Sequence, residues 1–257
     1  MLDLVVAVND KTVLERNLLR SPVLDLPGVN LFLREGYESA GRAYQSALEE
    51  GKNEWVVFVH QDVFIPEGWE RKLLHAIRAL EFVDRAWAVI GLYGVTSTGD
   101  HVGHLWCSSC SRVLGAHFSA PKPVFSIDEF LIVVKRSSGI AFDEELPGYH
   151  LYGTDIVQCA LQRGRGAYVA CAPVIHNARP IPYLDSAFFS AYRYLVEKWG
   201  NKLPIRTPVT TVYDSKLLYL RMRTANLARR IRHRNVDRRS LDRGYDPVVL
   251  AKDLGFF

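Results

Sequence analysis

The chain has 257 residues, 48% hydrophobic and 23% charged, with a formal net charge of +4. Those values exclude a disordered or collagen-like chain, and no run approaches the ~18 consecutive apolar residues of a membrane-spanning helix. The four cysteines are too few for a secreted disulfide scaffold of this length. Leu4–Val8 reads as a buried first strand ending at Asn9-Asp10. A helix follows over Lys11–Arg20 and stops before Pro22, and Val29–Leu33 is a second strand ending at Arg34-Glu35-Gly36. Ser39–Glu50 is an amphipathic helix with Gly51 as its C-cap, and Trp55–Val59 is a third strand ending in His60-Gln61-Asp62. Trp69–Leu80 is helical, Trp87–Gly94 extended, and the Gly-, Ser- and His-rich Ser97–Phe118 a loop. Ser126–Val134 is a strand, Asp155–Gln162 a short helix, Ala167–Ile175 a strand ending at His176, and Phe188–Trp199 an aromatic-rich helix.

Strand, helix, strand, helix, strand within about sixty residues is the signature of a parallel α/β sheet with crossover helices. Residues 216–257 hold 11 Lys+Arg against 4 Asp+Glu, and residues 1–215 hold 21 against 24. The charge therefore divides into a mildly acidic body, 1–215, and an Arg-rich helical tail, 216–257. Uniformly basic nucleic-acid binders do not look like this, and no aromatic stacking pattern accompanies the arginines. Arg221, Arg223, Arg229, Arg230, Arg232, Arg234, Arg238 and Arg239 are interleaved with aliphatic residues. Such a helix suits either an anionic membrane surface or a solvated flank of the domain. The acidic third residue and the lack of a basic N-terminal flank make the cytoplasm the expected address, with peripheral contact at its membrane face through the tail.

In open α/β sheets, ligands bind beyond the carboxyl ends of the strands. Here those ends carry Asn9, Asp10, Glu35, His60, Gln61, Asp62 and His176. An Asp and a His at strand tips can hold Mg²⁺ or Mn²⁺, with phosphate oxygens filling the other positions. No phosphate-cradling Gly loop and no G-x-S-x-G elbow is present, which disfavours P-loop ATPases, dinucleotide dehydrogenases and α/β-hydrolases. His101, His104, Cys107 and Cys110 are zinc-type donors. The two residues between the pairs are far fewer than a structural zinc site uses, so a reduced, metal-free loop is expected there.

Five ordered motifs carry a resemblance over most of residues 1–215. They are Gly36–Gln45, Phe58-Val59-His60-Gln61-Asp62-Val63, Asp128-Glu129-Phe130, Gly148–Asp155 and Val174-Ile175-His176; Lys198-Trp199 followed by Leu203-Pro204-Ile205 accompanies them. The chain resembles family 2 glycosyltransferases of the GT-A fold, and more narrowly the small-domain group related to a streptomycin-biosynthesis protein. The resemblance implies a three-layer α/β/α domain with a mostly parallel mixed sheet. It implies inverting transfer of a sugar from a nucleotide-diphosphate donor to an acceptor hydroxyl of a glycan, lipid-linked or small-molecule acceptor. Val8, Asn9, Asp10, Glu35, Gln61 and Asp62 would line the nucleotide, and Asp62, His176 and His60 would hold Mn²⁺ or Mg²⁺. Asp155 would be the base, and Asp128, Glu129, His150 and Tyr152 would meet the acceptor. By residue type alone, Asp155 is equally a helix N-cap and His176 a satisfied strand-end histidine. The usual D-x-D reads His60-Gln61-Asp62, Gln45 stands where many relatives have Asn, and the usual Glu-Asp pair is Thr154-Asp155. These departures leave room for a non-catalytic binding module of the same fold; a sugar nucleotidyltransferase on a related sheet is the further alternative, but the Gly-rich, basic loop it needs after the first strand is missing.

Overall fold

The computed structural model describes residues 2–236 and 241–257. The chain runs β1 (Leu2–Val8), α1 (Lys11–Arg16), β2 (Val29–Glu35), α2 (Ala40–Glu50), β3 (Trp55–Val59), β4 (Val63–Phe64), α3 (Trp69–Val83), β5 (Trp87–Gly91) and β6 (Tyr93–Val95). It continues through β7 (His101–Cys107), β8 (Arg112–Gly115), β9 (Lys122–Pro123), β10 (Ser126–Ile127), β11 (Leu131–Lys135), α4 (Tyr152–Gln162), β12 (Gly166–Val169) and β13 (Ile175–His176). The last elements are α5 (Ser186–Trp199), β14 (Ile205–Arg206), β15 (Thr211–Val212), α6 (Lys216–Arg232) and α7 (Pro247–Asp253).

The central sheet has the order β2-β1-β3-β11-β5-β12-β9. Strand β1 pairs in parallel with both β2 and β3, and β11 runs antiparallel between β3 and β5. Strands β1, β3, β5 and β11 are apolar on both faces because helices cover both. Val5, Val56, Phe58 and Ile132 pack under α2, α4 and α5, whereas Leu4, Val57, Val59 and Val133 pack under α1 and α3. The result is three α/β/α layers.

A second sheet, β10-β6-β7-β13-β4, grows from one end of the first, with β8 paired to β7. Three expected strands divide to build it: Trp87–Gly94 splits after Gly91 into β5 of the central sheet and β6 of the second. Ser126–Val134 breaks at Asp128-Glu129-Phe130, so that β10 pairs with β6 while β11 stays in the central sheet. The stretch Ala167–Ile175 likewise breaks into β12 in the central sheet and β13 in the second. The expected loop Ser97–Phe118 is instead mostly the β7–β8 hairpin; glycine and histidine mask the apolar alternation of β7. That strand strings His101, His104 and Cys107 out in extended backbone. Among the described residues the only metal-competent cluster lies elsewhere, at His60, Asp62 and His176.

Further differences have local causes. The first helix shortens to α1, and Leu18–Arg20 forms a separate 3₁₀ turn. Gly51 ends α2 in extended backbone, not left-handed, and its role is close approach: a Cβ there would strike the Asp3 carboxylate and the Arg136 guanidinium. Helix α4 begins at Tyr152, one turn before the expected start, so Asp155 lies inside the helix and not at its cap. Beyond Lys216, α6 is helical as expected, Arg238 and Arg239 lie outside the described residues, and the chain end returns to the body. There Ala251 and Phe256 pack on Phe64 and Ile175.

Asp3 is fully buried at the entrance to β1. Its carboxylate pairs with Arg136 at 3.0 Å and accepts from the Asn53 backbone N–H and from the side chains of Asn53 and Asn30. One group thus ties β1 to β2, to the start of β3 and to the end of β11. Removing one partner of a buried ion pair costs about 3–5 kcal/mol. Asp3→Ala is expected to lose roughly that much unfolding free energy, read by chemical denaturation.

Candidate metal and nucleotide site

The site forms where the two sheets meet. His60 ends β3, and Asp62 follows in the tight turn to β4. Strand β13 runs antiparallel to β4 with His176 opposite Val63, and the Asn177 N–H donates to the Asp62 carbonyl at 2.8 Å. This pairing brings together residues more than a hundred positions apart. Asp62 Oδ1 lies 3.5 Å from His176 Nε2 and 4.0 Å from His60 Nδ1. Phe130 stacks on the His176 ring, with centroids 4.9 Å apart.

Asp62 Oδ1 is buried and has no hydrogen-bond donor. Burial alone would raise its pKa, but the two imidazoles outweigh that and hold it down at about 2. The carboxylate is therefore ionised and under-satisfied, a condition that a cation would relieve. Tyr152 OH lies 3.1 Å from the Glu129 carbonyl and 2.8 Å from His60 Nε2, and the His60 tautomer decides which of the two receives the phenol proton. Burial lowers the His60 pKa, against the pull of Asp62, and favours the neutral imidazole. His176 is raised, because Asp62 overcomes its burial. These residues fit a divalent cation with one carboxylate and two imidazole ligands.

A cleft of about 1190 Å³ opens over this cluster. Gln61 fixes its near wall: its Oε1 accepts from the N–H groups of Asn9 and Asp10, and its Nε2 donates to Asn9 Oδ1 at 2.6 Å. The tip of β1 and the metal turn thus form one unit. Asp10 also caps α1 through Val13 N. Of the residues expected around a nucleotide, Asn9, Asp10, Gln61 and Asp62 line the cleft. Val8 is buried behind them, and Glu35 is exposed and paired with Lys11 at 3.4 Å, so neither lines it.

The sequence reading missed Arg179. It lies on the far wall, three residues past His176, and reaches Asp10 at 3.7 Å and Asp242 at 3.6 Å. Arg16, Arg20 and Arg229 join it in the lining. Only the offset of Arg179 from a strand-end histidine could have flagged it.

On the other side, Asp128, Glu129 and His150 line the cleft. His150 Nε2 is 3.3 Å from Asp185, and burial lowers its pKa against that carboxylate. The N–H groups of Leu151 and Gly153 at the start of α4 favour the ionised form of Glu129. Its pKa nevertheless rises to about 8, chiefly through burial and then through the neighbouring Asp128 charge.

Two expected site residues face elsewhere. Tyr152 is buried behind the metal cluster and positions His60 instead of reaching an acceptor. Asp155, 2% exposed, points away from the cleft, into the seam between α4 and α5. Lys198 Nζ holds its Oδ2 at 2.8 Å, and Trp199 Nε1 donates to its Oδ1 at 2.8 Å. Starting α4 a turn early carries Asp155 inward, and a carboxylate so paired is not an open base. Gln45 also misses the cleft; it accepts from Phe142 N and donates to Glu49.

No family model matches the chain. Among curated proteins it is 27% identical over 183 residues to the ATP synthase subunits region ORF 6 of Fuscovulum blasticum, covering 67% of this chain and 71% of that protein. Among solved structures it is similar to GalNAc-T7 with UDP, GalNAc and Mn²⁺, at TM-score 0.56 and 14% identity over 79% of this chain. The chain spans about half the length of that protein, 48%. It is also similar to S. aureus TarS in complex with UDP-GlcNAc (TM-score 0.47, 15% identity, 91% of this chain and 74% of that one). The mannosyltransferase PcManGT from Pyrobaculum calidifontis, in complex with GDP-Man and Mn²⁺, compares at TM-score 0.46 and 12% identity, over 99% of this chain and 79% of that one. The GalNAc-T7 likeness shows the fold: the chain has the GT-A fold.

The raised pKa of Glu129 sets a pH dependence. Folded Glu129 keeps its proton up to about pH 8, whereas the unfolded chain releases it in the ordinary carboxylate range. The stability this contributes is full below that range and lost as pH rises through about 8. In EDTA-treated buffer, the thermal midpoint of Glu129→Gln is expected to fall less than wild type between roughly pH 5 and pH 9.

Proposed function

We propose that the protein is a metal-dependent glycosyltransferase. It moves a sugar from a nucleotide-diphosphate donor to an acceptor hydroxyl, with inversion at the anomeric carbon. The observation that carries this reading is the ionised Asp62, whose buried Oδ1 has no donor, between two imidazoles at the strand tips of a GT-A fold. Placement in family 2, in the group related to a streptomycin-biosynthesis protein, rests on the five ordered motifs.

Asp62, His60 and His176 would hold the divalent cation. The chemistry it supplies when bound is neutralisation of the departing diphosphate. Arg179 and Arg16 line the same cleft and add fixed positive charge for those phosphates. Asn9, Asp10 and Gln61 form the wall on which the nucleoside rests. With two imidazoles, the donor set suits Mn²⁺ better than Mg²⁺, which prefers all-oxygen ligands.

Inversion needs a base on the acceptor side. His150 fills this role: it lines the cleft, Asp185 orients its Nε2, and burial favours the neutral imidazole. Asp128 and Glu129 flank the acceptor, and Asp155 positions α4 against α5 through Lys198 and Trp199. The pairing of Asp155 also favours a second reading, a nucleotide-sugar-binding module without turnover.

Two measurements test these assignments. Mn²⁺ with a panel of nucleoside diphosphates should raise the thermal midpoint more than Mg²⁺ does, and Asp62→Ala should abolish the shift. A nucleotide-sugar panel then tests turnover. His150→Gln should lower kcat by about 10²–10⁴ while nucleotide binding persists. Full activity in that variant would remove His150 as base, and binding without any wild-type turnover would favour the module.

A further inference from the structure

Helix α6 has two differently built faces. Ser215 caps it, accepting from Leu218 N. Its inward face is docked: buried Asn226 accepts from Leu184 N at 2.7 Å and donates to Leu184 O at 2.9 Å, and Tyr219 packs against Phe189 and Tyr192. On the opposite face Leu217, Leu220, Leu227 and Ile231 recur at helical spacing and are 54–75% exposed. They form an aliphatic stripe of about 20 Å on a helix already anchored from behind.

Charge frames the stripe. Residues 216–236 contain Lys216 and six arginines, and neither Asp nor Glu. A groove of about 470 Å³ between α5 and α6 runs alongside, with Arg193, Arg223 and Arg230 in its lining together with the single acid Asp185. The Arg223 guanidinium is held 4.9 Å over the Phe189 ring.

Charge and chemistry select the occupant. A second copy of this helix would set six cations against six. A nucleic acid would match the charge but would leave the aliphatic stripe in water, with no exposed aromatic face to stack on. An anionic bilayer satisfies both features, with acyl chains for the stripe and phosphates for the arginines.

We propose that α6 docks flat on an anionic lipid bilayer, with Leu217, Leu220, Leu227 and Ile231 below the headgroups and Arg223 and Arg230 paired to lipid phosphates. Met222 and Arg229 of the same helix line the cleft, so docking holds the cleft rim at the bilayer. Resting on the glycosyl-transfer reading, this points to an acceptor hydroxyl on a membrane-borne carrier; the docking itself does not depend on that reading.

Vesicle co-sedimentation of the full chain tests the docking without any turnover. Wild type should pellet with phosphatidylcholine/phosphatidylglycerol vesicles and stay in solution with phosphatidylcholine alone, and salt should weaken the binding. Leu220→Asn/Leu227→Asn and Arg223→Gln/Arg230→Gln alter exposed side chains, and unchanged thermal midpoints would establish that both variants fold. Each should bind the mixed vesicles at least about tenfold more weakly. Wild type left in the supernatant, equal binding to neutral vesicles, or undiminished binding by the leucine variant would each overturn the proposal. So would a gel shift with RNA that competes away all vesicle binding.

Discussion

A carboxylate withdrawn from water must be met by donors or by positive charge, and three aspartates organise this protein by the way each is met. Asp3 is met permanently, by a guanidinium and three amide donors, and it locks the beginning of the central sheet. Asp155 is met permanently by an ammonium and an indole, and it locks α4 to α5. Asp62 is flanked by two imidazoles, neither in hydrogen-bond geometry with its buried Oδ1. The first two are structural because their charge is already answered, whereas the third keeps one buried oxygen without a donor.

The second sheet is what leaves Asp62 in this condition. Had Ala167–Ile175 continued as one strand, His176 would have remained in line with the central sheet. Its break lets β13 cross to β4 and sets His176 beside the metal turn. The break between β10 and β11 does the same for Asp128 and Glu129, placing them at the cleft. Behind the cluster, the Tyr152 hydroxyl links His60 Nε2 to the Glu129 carbonyl, with His60 Nδ1 on the side of Asp62. The Asp128-Glu129 side of the cleft and the His60-Asp62 turn are thus joined through one phenol.

The same logic separates the two roles of the basic segment. Its inward face belongs to the body, through Asn226, and even to the cleft, through Met222 and Arg229. The outward stripe has no counterpart in the body. A single helix therefore touches both the cleft and the surroundings of the protein.

Local chemistry was enough to read much of this from the chain. Continuous apolar runs marked β1, β3 and β5, helical spacing marked α2, α3 and α5, and polar residues at strand tips marked Asn9, Asp10, His60, Gln61, Asp62 and His176. Those signals are local because burial on both faces, amphipathicity and strand termination each leave a mark within a few residues. Partnership is not local. That Lys198 and Trp199 claim Asp155, that Tyr152 serves His60, and that Arg179 faces the cleft depend on contacts between residues far apart in sequence. The sequence determined which side chains could do the chemistry; the tertiary structure decided which of them are already satisfied, because satisfaction is a property of neighbours brought together by packing.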